Sequence, residues 1–273
     1  MNQDLIARAV DFTKKYISGD FVNNPKTIQE KLAHIKIFRT NSLMSTCADK
    51  LKVKQYVRRK TGTDLCVPLI REYESPDEIN VEELPEKFAL KCNHGCGYNI
   101  IVEDKKGFDL EGAKVRLTKW LSDDFSEKGF ELQYRGIPRK CFSEKYVESA
   151  DERIKDYKIL CFNGVPKFVK VEIRRGEHDI RINCYDLDFN LTNIVNKVYP
   201  SDPSEKIEPP KDYGSMLKYA SMLCKDFDFV RIDFMQAKDA YYLGEMTFTP
   251  GNARMQYKDP ETGLILGNML TLS

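Results

Sequence analysis

Two runs near the end of the chain, Phe229 to Met235 and Tyr241 to Thr249, alternate apolar and polar residues with the period of a β-strand. In the first, Val230, Ile232 and Phe234 take one face, and Arg231 and Asp233 take the other. In the second, Glu245, Thr247 and Thr249 share a face opposite Met246 and Phe248. A turn about Lys238-Asp239-Ala240 sets Asp233 directly across from Glu245. Cross-strand partners lie roughly 4.5–5.5 Å apart at Cβ, so two carboxylates placed there can grip one hard cation at roughly 2.1 Å. With an arginine and two hydroxyls on the same face, this is the donor set of a magnesium site for phosphate chemistry. A polar, solvated face is the plain reading of any such hairpin. Here the returning strand runs on into Thr249-Pro250-Gly251, and an acid, a strand and a Pro-Gly turn in that order are an unusual combination.

A second constellation lies in Phe88-Ala-Leu-Lys-Cys-Asn-His-Gly-Cys-Gly97. Lys91 ends an apolar strand and is followed by a glycine-containing loop, so one ammonium and several backbone N–H groups can hold phosphate oxygens. Neither GxxxxGK[ST] nor GxGxxG is present. The bland reading is that Gly95 and Gly97 make a hairpin turn and that His94 is a loop histidine without a role. Cys92, His94 and Cys96 also sit at metal-ligand spacing, but a structural zinc needs a fourth ligand and no other CxxC or HxxxH occurs. The remaining cysteines, Cys47, Cys66, Cys141, Cys161, Cys184 and Cys224, are scattered singly, as in a reduced compartment.

These residues must be carried by elements. Residues 3–18, about 27–39, about 45–60 and 109–125 have helical spacing, with Trp120 a core position of the last. Pro68, Pro76 and Pro85 punctuate the connections. Strands are expected at 88–91 and 99–102. Asn163-Gly164 between two alternating runs predicts a hairpin over 157–171. Residues 200–213 read as an exposed Pro-rich connection, followed by a helix of about 212–226. Helices mixed with antiparallel hairpins imply an α+β fold with more than one sheet. Arg174, Arg175 and Arg181, around Glu177 and His178, form a partly basic stretch that reads as a solvated loop or an anionic-sugar contact. Asn252, Arg254 and Gln256 follow the Pro-Gly turn and are candidates to face a substrate.

The bulk composition bounds the function. The 273 residues carry 43 Lys and Arg against 42 Asp and Glu, so no basic surplus drives nucleic-acid binding. Hydrophobic residues make up 41%, enough for a core and too many for disorder. No apolar run reaches the length of a membrane helix, and Asp4 stands where a signal peptide would be basic. The expectation is a cytoplasmic protein with no membrane span and no nucleic-acid partner.

The motifs occur in a recognisable order. Lys87-Phe-Ala-Leu-Lys-Cys-Asn-His-Gly-Cys-Gly97, Ser143-Glu-Lys-Tyr-Val147, Asp156-Tyr-Lys-Ile-Leu-Cys-Phe-Asn-Gly164, Phe229-Val-Arg-Ile-Asp-Phe234 and Gly244-Glu-Met-Thr-Phe-Thr-Pro-Gly251 resemble those of ATP-grasp proteins of the teichuronopeptide-biosynthesis type, which are associated with polysaccharide and capsule genes. Ala48-Asp49-Lys50 with Val53 to Val57 resembles that family's upstream motif, so the likeness runs from about residue 45 to the C-terminus.

The resemblance implies an ATP-grasp fold, two α/β lobes clasping ATP, preceded by a short helical N-terminal segment. On this reading 1–47 is that segment, 48–143 the lobe with a phosphate-binding lid, and 144–273 the lobe with the metal site. Lys91 and Lys158 are implied to contact ATP phosphates, with the loop Asn93, His94, Gly95, Cys96 and Gly97 as the lid. Glu144 is implied to accept from the adenine amino group. Lys145, Tyr146 and Val147 are implied as the adenine hinge, and Glu148 or Asp151 as the ribose contact. Asp233 and Glu245 are implied to hold Mg2+, with Arg231 stabilising charge on the transferred phosphoryl group. Many ATP-grasp ligases have asparagine where this chain has Thr247, which weakens the case for a second metal ion.

The implied activity is an ATP-dependent carboxylate–amine ligation through an acyl phosphate. It would join an amino acid or small amine to a uronic acid carboxylate, free, nucleotide-linked or polymeric. A kinase acting on a sugar hydroxyl would share every nucleotide residue. A non-catalytic nucleotide-binding module is the third reading, and retention of Lys91, Asp233 and Glu245 counts against it.

Overall fold

Asp49 interrupts the helix expected over residues 45–60. Its side chain accepts from the backbone N–H of Leu51 (2.9 Å) and Lys52 (3.3 Å), a local bond that competes with helix continuation. The segment is therefore two helices, α3 (Ser42–Ala48) and α4 (Lys52–Thr61), with a corner between them. The computed structural model describes residues 3–151, 153–174 and 179–273. The readings placed on Arg175, Glu177 and His178 lie outside the described residues. The first helix, α1 (Gln3–Lys14), stops short of the expected residue 18. The second, α2 (Ile28–Phe38), starts on a capping box, Thr27 with Glu30.

Two antiparallel sheets follow, in agreement with the α+β expectation. The smaller has β1 (Leu69–Tyr73), β2 (Phe88–Cys92), β3 (Asn99–Val102) and β4 (Cys141–Lys145) in the order β1-β4-β2-β3. Helix α5 (Leu110–Ser122), capped by Asp109, packs on β2, and the short α6 (Phe125–Gly129) leads back towards β4. Together they enclose a separate small core of Phe88, Leu90, Cys92, Ile100, Val102, Ala113, Leu117 and Cys141. Trp120 is half-buried at its rim, stacked on Tyr98 with centroids 5.3 Å apart.

The larger sheet has β5 (Ile154–Phe162), β6 (Val165–Arg174), β7 (Ile180–Tyr185), β8 (Phe229–Gln236) and β9 (Tyr241–Thr247) in the order β7-β6-β5-β8-β9. Asn163 and Gly164 both adopt positive φ, 45° and 76°, as a two-residue hairpin turn with the twist of its strands requires. One face of this sheet, with Ile159, Val169, Val171, Ile173, Ile232 and Phe234, is buried. It lies against α7 (Tyr213–Leu223) and the helices at the start of the chain, and α8 (Thr262–Asn268) closes onto α2. One continuous core thus runs from Leu5 to Leu270, and the N-terminal helices belong to it. No helix among the described residues is long and apolar enough to cross a membrane.

Candidate active site

The other face of the large sheet is polar, and its central row is defined by strand register. Cys184 pairs with Lys170, Lys170 with Lys158, Lys158 with Asp233, and Asp233 with Glu245. The expected juxtaposition of the two acids is therefore present, although the expected three-residue turn is not. The loop of 237–240 is closed by an Ala237 N–H to Ala240 carbonyl bond, and Gln236 pairs with Tyr241. Gly244 is an extra residue in β9: Phe234 pairs with Leu243, and Asp233 with Glu245. This bulge lets Leu243 enter the core while Glu245, only two positions on, reaches the site face.

Arg231 binds both acids. Its Nε and Nη2 donate to the two oxygens of Asp233 (2.7 and 2.6 Å), and Nη2 also donates to Glu245 Oε1 (3.0 Å) and Thr247 Oγ1 (3.2 Å). Burial pushes the Asp233 carboxyl up to about 6 despite Arg231, and the facing Glu245 adds to the rise. Burial acts on Glu245 in the same sense, but Arg231, Lys50, Thr247 and Lys158 outweigh it and hold that carboxyl below its usual value. Lys158, next in the row, bonds Glu172 at 2.5 Å and approaches Asp156 at 3.6 Å. Burial disfavours its charge, yet Asp233, Asp156 and Glu172 raise its pKa above the ordinary value.

Two opposed carboxylates with a hydroxyl beside them suit Mg2+, which takes only one or two protein carboxylates and completes its shell with phosphate oxygens and water. Among the described residues no group of three or more His, Cys, Asp or Glu side chains is placed to hold a metal, the Cys92–Cys96 segment included.

The loop Asn93 to Gly97 lies over this face from the small sheet. Partial burial raises the thiol of Cys96 at its tip, and the Glu245 carboxylate raises it further. Not every loop side chain points at the site. Asn93 is buried and bonds Asp49 Oδ1 (3.0 Å) and the Pro138 carbonyl (2.9 Å), and it accepts from the Lys140 N–H (2.9 Å). His94 is buried too; its Nε2 meets the Trp120 carbonyl at 3.0 Å, and burial lowers its pKa. These two side chains hold the loop, and its backbone with Gly95, Cys96 and Gly97 is what remains to face a ligand.

Lys91 and Lys54 both bind Glu144, and the space among them, Lys50, Val67, Phe142, Leu243 and Gly244 is only about 10 Å³. A nucleotide fits there only if the two lysines release Glu144 and turn to phosphate. Lys145, Tyr146 and Val147, expected at the adenine hinge, line with Glu148 an open cleft of about 480 Å³ against the β8–β9 turn. Glu148 pairs with Lys238 at 3.2 Å and Asp151 with Arg153 at 2.9 Å, so both ribose candidates are engaged on the exposed side. Arg174 pairs with Glu172 and Arg181 with Asp179.

Three lysines at the site were given no role by the sequence pattern. The backbone N–H of Lys50 bonds the Asn93 carbonyl and its ammonium bonds the Gly95 carbonyl, so it joins the α3–α4 corner to the Asn93–Gly97 loop. Lys54, in the first turn of α4, reaches Glu144 from the same corner. Lys170 was hidden by a second irregularity: a regular two-residue hairpin would pair Lys158 with Val169, but a bulge at Pro166 shifts the register by one. Proline inside a strand was the available signal.

Comparison with known proteins follows this geometry. The family model described as TupA-like ATP-grasp matches residues 30–271. Among curated proteins no relative matches. Similar solved structures include a D-alanine–D-alanine ligase from Bacillus anthracis, at 19% identity and TM-score 0.46, covering 89% of this chain and 74% of that one. The ATP-grasp ligase PsnB, complexed with a phosphomimetic variant of its minimal precursor, Mg and ADP, is 11% identical with TM-score 0.44, covering 84% and 61%. N5-carboxyaminoimidazole ribonucleotide synthetase from Thermus thermophilus is 12% identical with TM-score 0.40, covering 80% and 47%.

Proposed function

The chain belongs to the TupA-like ATP-grasp family, and we propose that it is a ligase that joins an amine to a uronic acid carboxylate at the expense of ATP, in the building of a cell-surface polysaccharide. The observation that carries this reading is the opposed pair Asp233 and Glu245, with Arg231 and Lys158 on the same face beneath the Asn93–Gly97 loop. Lys50, Lys91 and Lys158 supply ammonium groups for the phosphates, and the hinge Glu144 to Val147 receives the adenine. Asp233, Glu245 and Thr247 are the residues for Mg2+, which when bound neutralises charge on the β- and γ-phosphate oxygens.

In the first step a carboxylate oxygen of the acceptor attacks the γ-phosphorus. The bond to the β,γ-bridging oxygen breaks, leaving ADP and an acyl phosphate. The Arg231 fork, released from Asp233, is placed to hold the equatorial oxygens of the moving phosphoryl group. In the second step the amine attacks the acyl carbon, phosphate leaves, and the amine surrenders a proton to give the amide. Thr247 in place of an amide side chain supports a single tightly held Mg2+.

The test is incubation with Mg-ATP, uronic acids or their nucleotide-linked forms, and a panel of amines, followed by product analysis. ADP, phosphate and an amide in equal amounts support the ligase. A phosphate ester with ADP and no free phosphate replaces it by the kinase.

A further inference from the structure

The neighbouring cations on the site face of the large sheet have acidic partners: Lys158 has Glu172, Arg174 has Glu172, and Arg231 has Asp233 and Glu245. Lys170 is the exception. It is 8% exposed, and among the described residues it has neither an ion pair nor a hydrogen bond; its ammonium lies over the Tyr257 ring at 5.7 Å. The Tyr257 hydroxyl is itself buried and has no hydrogen-bond partner among the described residues. Both groups lie near Cys184, the register partner of Lys170, whose thiol burial keeps protonated. A fully buried hydroxyl without a partner is costly to a fold unless something supplies the missing partner atom, and the unpaired Lys170 ammonium stands over its ring.

The pair is in line with the chemistry. Lys170 is the immediate neighbour of Lys158 and stands two strands from Asp233 in one cross-strand row, about 10 Å at ordinary strand spacing. That offset places Lys170 beyond Lys158 from the opposed acids, where it suits a second group on the same acceptor. We propose that Lys170 and Tyr257 form an oxyanion subsite for the acceptor, binding an anionic group other than the carboxylate that is phosphorylated. The acceptor then carries at least two anionic groups, the second a phosphate or a further carboxylate. This rests on the ligase reading for the identity of the acceptor, but the subsite itself is a property of the fold.

Crystals of the full chain grown with Mg-ADP and soaked in bromide test it, because the nucleotide blocks the phosphate-binding lysines. Anomalous bromide density at the Lys170 ammonium and the Tyr257 hydroxyl is expected. It should vanish in Lys170→Met, survive in Lys170→Arg and weaken in Tyr257→Phe, with the Mg-ADP melting shift unchanged in all three. Parallel soaks in phosphate and in acetate, scored by which of them occupies the site, assign the second group. No density at Lys170 in crystals where bromide labels other cations overturns the proposal, as does density that persists in Lys170→Met. Failure of Mg-ADP to bind would instead remove the nucleotide reading, and the bromide soak would still be scored on the nucleotide-free crystals.

Discussion

The two sheets contribute to the site by different means. On the five-stranded sheet the chemistry is fixed by register: Lys158, Asp233 and Glu245 are consecutive across three strands, and the reverse face of the same strands is sealed in the core that runs from Leu5 to Leu270. On the four-stranded sheet it hangs from a loop. Asn93 to Gly97 is held by hydrogen bonds, from Asn93 to Asp49, Pro138 and Lys140, from His94 to Trp120 and from Lys50 to the Asn93 and Gly95 carbonyls, above a much smaller core of its own. A close-packed core holds atoms to tenths of an ångström, whereas a loop tied by a few hydrogen bonds opens at much lower cost. On the proposed reading the large sheet places the charges and the small one covers the nucleotide.

The comparison breaks most directly at Glu245. Glu245→Gln keeps the shape but removes half of the opposed pair, and turnover should fall by about a thousandfold or more with little change in melting temperature. Arg231→Lys comes next. Lysine is a point charge and cannot span both Asp233 oxygens, Glu245 and Thr247, so kcat should fall by about a hundredfold while KM for ATP moves less. A change in the small sheet should show the opposite pattern. A Cβ added at Gly95 would meet the Phe125 ring at 2.8 Å and the Tyr98 ring at 2.9 Å, so Gly95→Ala displaces the lid. KM for ATP should rise by about tenfold with kcat reduced less, and a loss confined to kcat would contradict the division of labour.

How far the sequence reveals this division follows from which signals are local. The hairpin at Asn163-Gly164, the strands around Lys91 and the opposed Asp233 and Glu245 were legible, because alternation and turn chemistry act over a few residues. The bulges at Gly244 and at Pro166 were not, since one inserted residue reverses the faces downstream and only the partner strand reveals it. That is why Lys170 escaped notice. The end of α3 was missed for a different reason: Asp49 looks helical by spacing, and its competing bond to the backbone of Leu51 and Lys52 is visible only in three dimensions. Nor did composition show that the N-terminal helices join the large core.

Those helices offer the smallest of the expected effects. Lys36 of α2 is buried and donates to Asn252 Oδ1 (2.7 Å) and the Gly129 carbonyl (3.2 Å), pinning a turn in which Gly251, Asn252 and Ala253 all have positive φ. Burial lowers its ammonium to about 8, with Glu131 opposing and Arg254 adding to the shift. Below pH 8 the amine is charged in both states. Between pH 8 and its unfolded value of 10.5 the unfolded chain binds the extra proton, so this group makes stability rise with pH. The wild type minus Lys36→Met difference in unfolding free energy should therefore climb by on the order of 3 kcal/mol across that window. A flat difference would mean that the folded state does not lower the Lys36 pKa.

The central claim is that Asp233 and Glu245 form a magnesium-dependent nucleotide site, and one melting experiment tests it without knowledge of the acceptor. The wild type and Asp233→Asn are heated with and without Mg-ADP and with ADP in excess chelator. At about a hundred times the dissociation constant the ligand adds about 2.7 kcal/mol, or roughly 5–10 °C in a chain of this size. The account predicts that shift for the wild type, its loss on chelation, and its reduction in Asp233→Asn, whose unliganded melting temperature stays near that of the wild type. An equal shift in the variant, or no shift at millimolar nucleotide, would contradict it.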